Sequence, residues 1–192
     1  MQWLGIISLS VACCTVYGIL HDQVTARVCI EYFTIGHPPI FSTRDPTLLG
    51  IGWGIIATWW VGIILGVPLA MASRLGTAPR KSTAQLLRPL AILMLVSGLF
   101  ATLMGTIGFI AAHNGWVYLT GDLANRVPPE KHVAFITDLW AHSASYFAEW
   151  HRAGRWHLAF ATNAGFLGMM PQAIYGANIA RQERRRGRRS FI

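Results

Sequence analysis

Four apolar runs constrain the fold of this chain more than any other feature of its sequence. They cover roughly residues 3–20, 48–72, 90–112 and 156–180. About 20 helical residues cross a hydrocarbon core of about 30 Å, so each run is long enough to span a bilayer. Only 12% of the chain is charged, against about 25% in soluble domains. The sequence predicts an all-α membrane protein, a single integral membrane domain over residues 1–192 with four transmembrane helices.

The basic residues set the predicted orientation, because lysine and arginine next to a membrane stay on the cytoplasmic side. Ten of the 16 lie either in the link after the second run or in the tail at 181–192. These are Arg74, Arg80, Lys81 and Arg88 in the link, and Arg181, Arg184, Arg185, Arg186, Arg188 and Arg189 in the tail. Both termini are therefore predicted to be cytoplasmic, with segments 21–47 and 113–155 outside.

The basic tail is interpreted as an anchor for topology and lipid head groups. Each basic residue near an anionic membrane surface contributes about 1 kcal/mol of attraction. No aromatic residues are interleaved with the arginines, and no nucleic-acid-binding fold accompanies them. The expected partner is the lipid bilayer, and no nucleic-acid partner is expected.

A stripe of small residues in the second run predicts close helix packing. Its members recur every four residues and so share one helix face; they are Gly50, Gly54, Thr58, Gly62 and Gly66. Small residues on such a face let another helix backbone approach closely in lipid. The stripe suits a compact bundle, and it suits a homo-oligomer or a larger membrane complex equally well.

The two outer segments hold nearly all the titratable chemistry of the chain. All seven histidines lie in them or at their edges, as do seven of the eight acidic residues. Residues from Glu130 to about His151 predict an amphipathic helix on or over the outer mouth of the bundle. Its polar stripe has spacings of four, three and four residues and comprises Asp138, His142, Ser145 and Glu149. Around 24–31, apolar and polar residues alternate, which slightly favours an extended surface segment over a helix.

These polar side chains are candidates for a metal or ligand site on the outer face. Imidazole and carboxylate groups suit zinc, iron or copper. The candidates are His21, Asp22, Glu31, His37, His113, Asp138, His142 and Glu149. The same side chains are also explained as interfacial groups at head-group depth, or as tetrapyrrole ligands. In the interfacial interpretation, Asp138 and Glu149 face water or pair with Arg152 and Arg155. No H-E-x-x-H, C-x-x-C or G-x-S-x-G motif occurs, so catalytic residues and enzymatic activity stay open.

The stretch HDQVTARVCIEYFTIGHPPIF, followed by DPTLLGIGWGIIATWWVG, resembles a group of uncharacterised bacterial polytopic membrane proteins. The likeness covers roughly residues 18–72 and rests on the pattern H-D-Q-[VI]-T…E-Y-F at the exit of the first helix. It implies a bacterial membrane protein and supports the topology predicted from the charges. The expected location is the bacterial cytoplasmic (inner) membrane, with the main polar segments on the periplasmic or extracellular side. The resemblance implies no activity and no site residues.

Three functions follow from these observations. The favoured one is a structural or accessory membrane component, because the small-residue stripe is strong and no catalytic motif occurs. The second is an outer-face metal- or ligand-binding protein or a metalloenzyme. The third is a transporter of lipids or small molecules. An ion-coupled carrier is disfavoured, because no charged residue lies deep inside any predicted span.

Overall fold

The structure of the protein, a computed structural model, describes residues 1–75 and 79–152, with side chains as far as Tyr146. No β-strand occurs in these ranges, where the regular elements are six α-helices and one 3-10 turn. They are α1 (Gln2–Val28), α2 (Ile30–Thr34), α3 (Pro46–Arg74), α4 (Thr83–His113), α5 (Gly121–Arg126), the turn Pro129–Lys131 and α6 (His132–Arg152). The predicted fourth span at 156–180 and the tail at 181–192 lie outside the described residues.

Three of these helices are long and apolar enough to cross a membrane. Helices α1, α3 and α4 contain 27, 29 and 31 residues, and at a rise of 1.5 Å per residue each exceeds a hydrocarbon core of about 30 Å. They contain the predicted spans at 3–20, 48–72 and 90–112. Their outer surfaces expose large apolar side chains such as Val16 and Leu95, as lipid-facing helices do. The chain is therefore a membrane-embedded helical protein.

Helices α1 and α3 pack against each other along the stripe of small residues. Gly54 lies against the backbone of Gly18 and Ile19, and Gly62 lies against the backbone of Val11. Helix α1 contributes its own small residues to this contact, and its buried positions Ser10, Cys14 and Gly18 are four residues apart. Small residues on both helices let the two backbones meet. The stripe is thus used within the chain.

The prediction of an extended segment around residues 24–31 is wrong, because helix α1 continues into it. The helix runs to Val28, and α2 adds another turn at Ile30–Thr34. Alternation over so few residues fits a strand or one helix face, and packing decides between them. The buried face of α1 simply continues past the apolar run with Asp22, Thr25 and Ala26. As a result, Asp22 lies on a rigid helix and faces other helices.

Helix α6 begins close to its predicted start and packs along the side of α4. Trp140 of α6 lies beside Gly108, and Ala141 lies beside Gly105. One turn farther on, the hydroxyl oxygen of Ser145 is 2.8 Å from the hydroxyl oxygen of Tyr17 on α1. The helix therefore lies beside the end of α4 and reaches α1. Its polar side chains His142 and Ser145 are brought against α1.

The start of α3 provides a test of local helix capping. Oδ1 of Asp45 accepts a hydrogen bond from the backbone N–H of Leu48 at 2.8 Å. Replacing an N-cap aspartate by alanine costs typically about 1 kcal/mol, so we expect Asp45→Ala to lower the free energy of unfolding by about that amount in a denaturant titration. Asp122→Ala is the control, because it removes an exposed carboxylate whose pairing with Arg126 contributes little. Equal losses in the two variants would contradict the capping role.

Candidate metal site

Three of the candidate side chains meet in one cluster, which we call the His–Asp–His cluster. His21 and Asp22 come from α1, and His142 comes from α6. Each offers one ligand atom, and these atoms all lie within 4.8 Å of one another. Asp22 and His142 are 5% and 7% exposed. Because 120 residues separate Asp22 from His142, helix packing and not a local motif assembles the cluster.

The hydrogen bonds of His142 determine which of its nitrogens faces Asp22. Nδ1 of His142 lies 2.8 Å from the backbone oxygen of Asp138. A carbonyl oxygen can only accept, so Nδ1 carries the hydrogen and Nε2 of the neutral ring presents its lone pair. That Nε2 lies 3.2 Å from Oδ1 of Asp22. Two electron-pair donors thus face each other, and a proton or a cation must lie between them.

The separation of these two atoms fits a shared metal ion. Zinc binds nitrogen and oxygen ligands at about 2.0–2.1 Å, so two ligands at the tetrahedral angle are about 3.3 Å apart. Burial lowers the pKa of His142 to about 4, because the charged imidazolium loses its hydration. A second proton on His142 is therefore disfavoured at neutral pH. A divalent cation satisfies both donors without that proton.

Polar atoms in and beside the cluster also lack well-formed hydrogen bonds. Nε2 of His21 is buried and has no hydrogen-bond partner among the described residues. Both carboxyl oxygens of the neighbouring Asp138 are buried, and the backbone N–H of Cys29 approaches this carboxyl group without forming a hydrogen bond of good geometry. Buried polar atoms normally have a partner, so unpaired ones mark a place where a ligand, ion or water completes the set. Asp138 is only 1% exposed and therefore does not face water. The side chains of Arg152 and Arg155, its predicted alternative partners, lie outside the described residues.

Aromatic side chains enclose the cluster. The ring of Tyr32 on α2 lies 4.4 Å, centroid to centroid, from the ring of His142, and the ring of Phe33 lies 5.7 Å from it. His37 stands behind Tyr32, with Nδ1 2.9 Å from the Tyr32 backbone oxygen and its ring 4.5 Å from that of Trp53. Burial lowers the pKa of His37. His37 thus belongs to the surrounding wall and is not one of the three converging side chains.

Two further candidates, His113 and Glu31, do not belong to the cluster, and a third, Glu149, is not described. His113, at the end of α4, is exposed and stacks on Phe109. Glu31 is half-buried on α2, where it accepts a hydrogen bond from the thiol of Cys29 at 3.5 Å. The side chain of Glu149 lies outside the described residues.

Sequence reasoning missed one residue that contacts the cluster. Tyr17 lies one helical turn before His21 on α1, and the two rings are stacked with centroids 5.8 Å apart. Its hydroxyl group contacts Ser145, as described above, and so links the cluster to α6 a second time. The four-residue spacing from His21 is the signal that could have identified Tyr17.

The buried carboxyl group of Asp138 predicts a pH-dependent stability. Burial, with the nearby Asp22 adding to the effect, raises the pKa of Asp138 from 3.8 to about 9. Between these values the folded protein holds a proton that the unfolded chain releases, so this group lowers the free energy of unfolding as pH rises. We expect Asp138→Asn, which cannot titrate, to gain thermal stability relative to wild type across that range.

Thermal unfolding of EDTA-treated protein at several pH values would measure this gain. Asp122→Asn is the matched control, because the Asp122 side chain is 76% exposed, and its difference from wild type should not vary with pH. If the difference in thermal stability between Asp138→Asn and wild type did not vary with pH, the Asp138 carboxyl group would have to be exposed or paired.

The chain matches no known protein-family model, no curated protein and no solved structure. Any functional assignment must therefore come from the geometry of these residues.

Proposed function

We propose that this protein binds a transition-metal ion, with zinc the best match to the donor set, through His21, Asp22 and His142. The observation that carries the proposal is the 3.2 Å approach of His142 Nε2 to Asp22 Oδ1, with a ligand atom of His21 beside them. Two imidazoles and one carboxylate are ligands that zinc commonly takes. Three protein ligands leave a fourth tetrahedral position open, as in zinc sites that bind a substrate.

The polar burial favours a binding role over a purely structural one. Buried ionisable groups are costly, and replacing them by apolar side chains of similar volume is often neutral or stabilising. In a protein with only a structural role, an apolar contact between α1 and α6 would therefore be at least as stable as this polar one. Here the contact holds Asp22, Asp138 and His142, all less than 10% exposed. A bound cation gives a reason for keeping them.

The groups that hold the His142 ring support the same proposal. Metal-binding histidines commonly donate their other ring N–H to a carbonyl or carboxylate, which fixes the ring orientation. Nδ1 of His142 does this with the backbone oxygen of Asp138. The aromatic side chains Tyr32 and Phe33 next to the ring limit its movement and exclude water. His142 is thus held ready to bind before any ion arrives.

The proposed location follows from the charge distribution. Arg74, Arg80, Lys81 and Arg88 lie at the end of the bundle where α3 ends and α4 begins, and the cluster lies towards the opposite ends of these helices. Because basic residues stay on the cytoplasmic side, we propose an inner-membrane protein whose cluster lies towards the periplasmic side. Labelling of cysteines introduced at Thr43 and Arg80 in intact cells tests the orientation, and equal labelling of both would oppose it.

Metal analysis of the full-length protein tests the proposed function. The protein should be purified in detergent with an affinity tag that contains no histidine, reconstituted with zinc, and freed of loosely bound ions on a desalting column. We expect about one equivalent of zinc per chain, since a preformed site retains its ion. A folded protein that retains less than about 0.1 equivalent of every transition metal tested would rule the proposal out.

A further inference from the structure

A separate cavity of about 330 Å³ lies at the same end of the bundle as the His–Asp–His cluster. It is enclosed by α2, the first turns of α3 and the segment 35–45 that connects them. Its volume lies within the range of about 300–1,000 Å³ typical of small-molecule sites. If each non-hydrogen atom of a ligand takes about the 30 Å³ of a water molecule, the cavity holds roughly ten of them.

The inner wall of this cavity is apolar and largely aromatic. Phe33 and Leu49 line it and are each 2% exposed, and Trp53 lines it and is 8% exposed. The ring of Phe41 stands edge to face against the ring of Trp53, with centroids 5.6 Å apart. Three aromatic rings thus border one small space, which favours a ligand with an apolar body.

The segment 35–45 is fixed over the cavity although it contains no helix or strand. The backbone N–H of Asp45 donates a hydrogen bond to the hydroxyl oxygen of Thr43 at 3.1 Å. Gly52 of α3 makes room for Phe41, because a Cβ at Gly52 would lie 2.5 Å from Cζ of the Phe41 ring. The cavity is therefore a preformed part of the fold.

The wall of the cavity carries one charge, and that charge is positive. Ser42, Thr43 and Arg44 line it, and no acidic residue lies among its described lining residues. Arg44 is exposed and forms no hydrogen bond or ion pair with another described residue. The carboxylate of the adjacent Asp45 caps α3 by accepting from the N–H of Leu48. The guanidinium group of Arg44 is thus left for a ligand.

The donors of this wall select a carboxylate on the ligand. A guanidinium group is a planar fork of N–H donors that matches a carboxylate with two parallel hydrogen bonds. The hydroxyl oxygen of Thr43 already accepts a hydrogen bond, so its O–H is left to donate. A carboxylate carries the one negative charge that Arg44 balances, whereas a phosphate monoester carries about −1.5 to −2.

We propose that this cavity binds a small organic carboxylate, with the carboxylate on Arg44 and the apolar body against Phe33, Phe41 and Trp53. The inference goes beyond metal binding and does not require it. The two sites are neighbours, because Phe33 lines the cavity and its ring lies 5.7 Å from the ring of His142. The carboxylate ligand would therefore bind beside the metal-binding residues.

Equilibrium dialysis of the full-length protein in detergent tests this inference. The probe is phenylacetate, the protein is first treated with EDTA, and empty micelles are measured in parallel. We expect saturable binding of about one equivalent per chain with a dissociation constant of about 1 mM or tighter. Phenylacetamide, which is nearly isosteric but uncharged, and acetate, which lacks the apolar body, should each bind at least about tenfold more weakly.

Two variants and one control assign the binding to this cavity. Arg44→Gln should weaken phenylacetate binding at least about tenfold and abolish the preference over phenylacetamide. Gly52→Ala displaces the Phe41 ring and should weaken binding at least about fivefold. It should still fold, because the added Cβ meets only the far end of that side chain. Arg80→Gln removes the same charge from an exposed arginine at the opposite end of the bundle and should bind like wild type.

The outcomes separate this inference from the metal proposal. Asp22→Asn should lose zinc and keep phenylacetate binding, whereas Arg44→Gln should keep zinc and lose phenylacetate binding. Equal binding of phenylacetate and phenylacetamide to wild type, or unchanged binding in Arg44→Gln, would overturn the inference. Full competition by phosphatidylglycerol added to the micelles would also overturn it, because lipid head groups would then be the partner of Arg44.

Discussion

Replacing His142 by alanine is expected to weaken zinc binding at least about 100-fold. Loss of a residue that merely supports a zinc ligand typically costs about 10–100-fold in affinity, and here one of three protein ligands is removed. The measurement is a competition titration of the reconstituted protein with a chelator of known zinc affinity. Cobalt in place of zinc gives a second readout, because the visible absorption of tetrahedral cobalt should weaken or shift in the variant.

The control for this prediction is His113→Ala. His113 is also a histidine near the same end of the bundle, but it is exposed and stacks on Phe109, so its removal should leave zinc affinity unchanged. Asp22→Asn provides a nearly isosteric second variant in case His142→Ala fails to fold, since an amide is a poor zinc ligand. Wild-type affinity in both folded variants of the cluster would contradict the assigned ligands.

The electrostatics of the cluster give an independent reason to expect a cation. Asp22 and Asp138 are both less than 10% exposed, and their negative charges are close enough that Asp22 contributes to the raised pKa of Asp138. Among the described residues no lysine or arginine forms an ion pair with either of them. Buried carboxyl groups that have no such partner in the described part of the chain are neutralised by protons or by a metal ion. A bound divalent ion would replace the proton between Asp22 and His142, and it would weaken the effect of Asp22 on Asp138.

The sequence predicts the helical scaffold well, because the signals that define it are local. Apolar runs identify the three helices of membrane-spanning length, and Asp45 with Pro46 marks where α3 begins. The spacing of Asp138 and His142 predicts that both lie on one face of α6, and both are buried against α1 and α2. Periodicity therefore predicts on which face of a helix each candidate lies, but not which other helix that face contacts.

The cluster itself depends on information that periodicity does not contain. Hydropathy falls after Leu20 and so does not show that His21 and Asp22 belong to α1 rather than to a surface segment. Packing against other helices decides this. The histidine that faces Asp22 can be identified only when it is known that α6 lies along α4 and reaches α1. His113 and His142 look equivalent in the sequence, yet only His142 faces Asp22. Contacts across 120 residues arise from tertiary packing and leave no local pattern.

Gly54→Ala is expected to be among the most damaging single substitutions in the described part of the chain, although it adds only one methyl group. A Cβ at Gly54 would lie 2.5 Å from the backbone nitrogen of Ile19 and 2.6 Å from its Cα. Overpacking usually costs about 1–3 kcal/mol, and a backbone cannot turn aside as a side chain can. We expect the free energy of unfolding to fall by about 3 kcal/mol, measured in detergent with a denaturant titration.

Gly98→Ala is the matched control, because the added methyl group would meet only Tyr17, at 3.6 Å, and alanine favours a helix over glycine by about 1 kcal/mol. That variant should be as stable as wild type or more stable. Gly54→Ala should in addition weaken zinc binding, because moving α1 away from α3 displaces His21 and Asp22, which lie one turn beyond the Gly18–Gly54 contact. If Gly54→Ala were destabilised but bound zinc with full affinity, the packing of α1 against α3 would not control the position of His21 and Asp22.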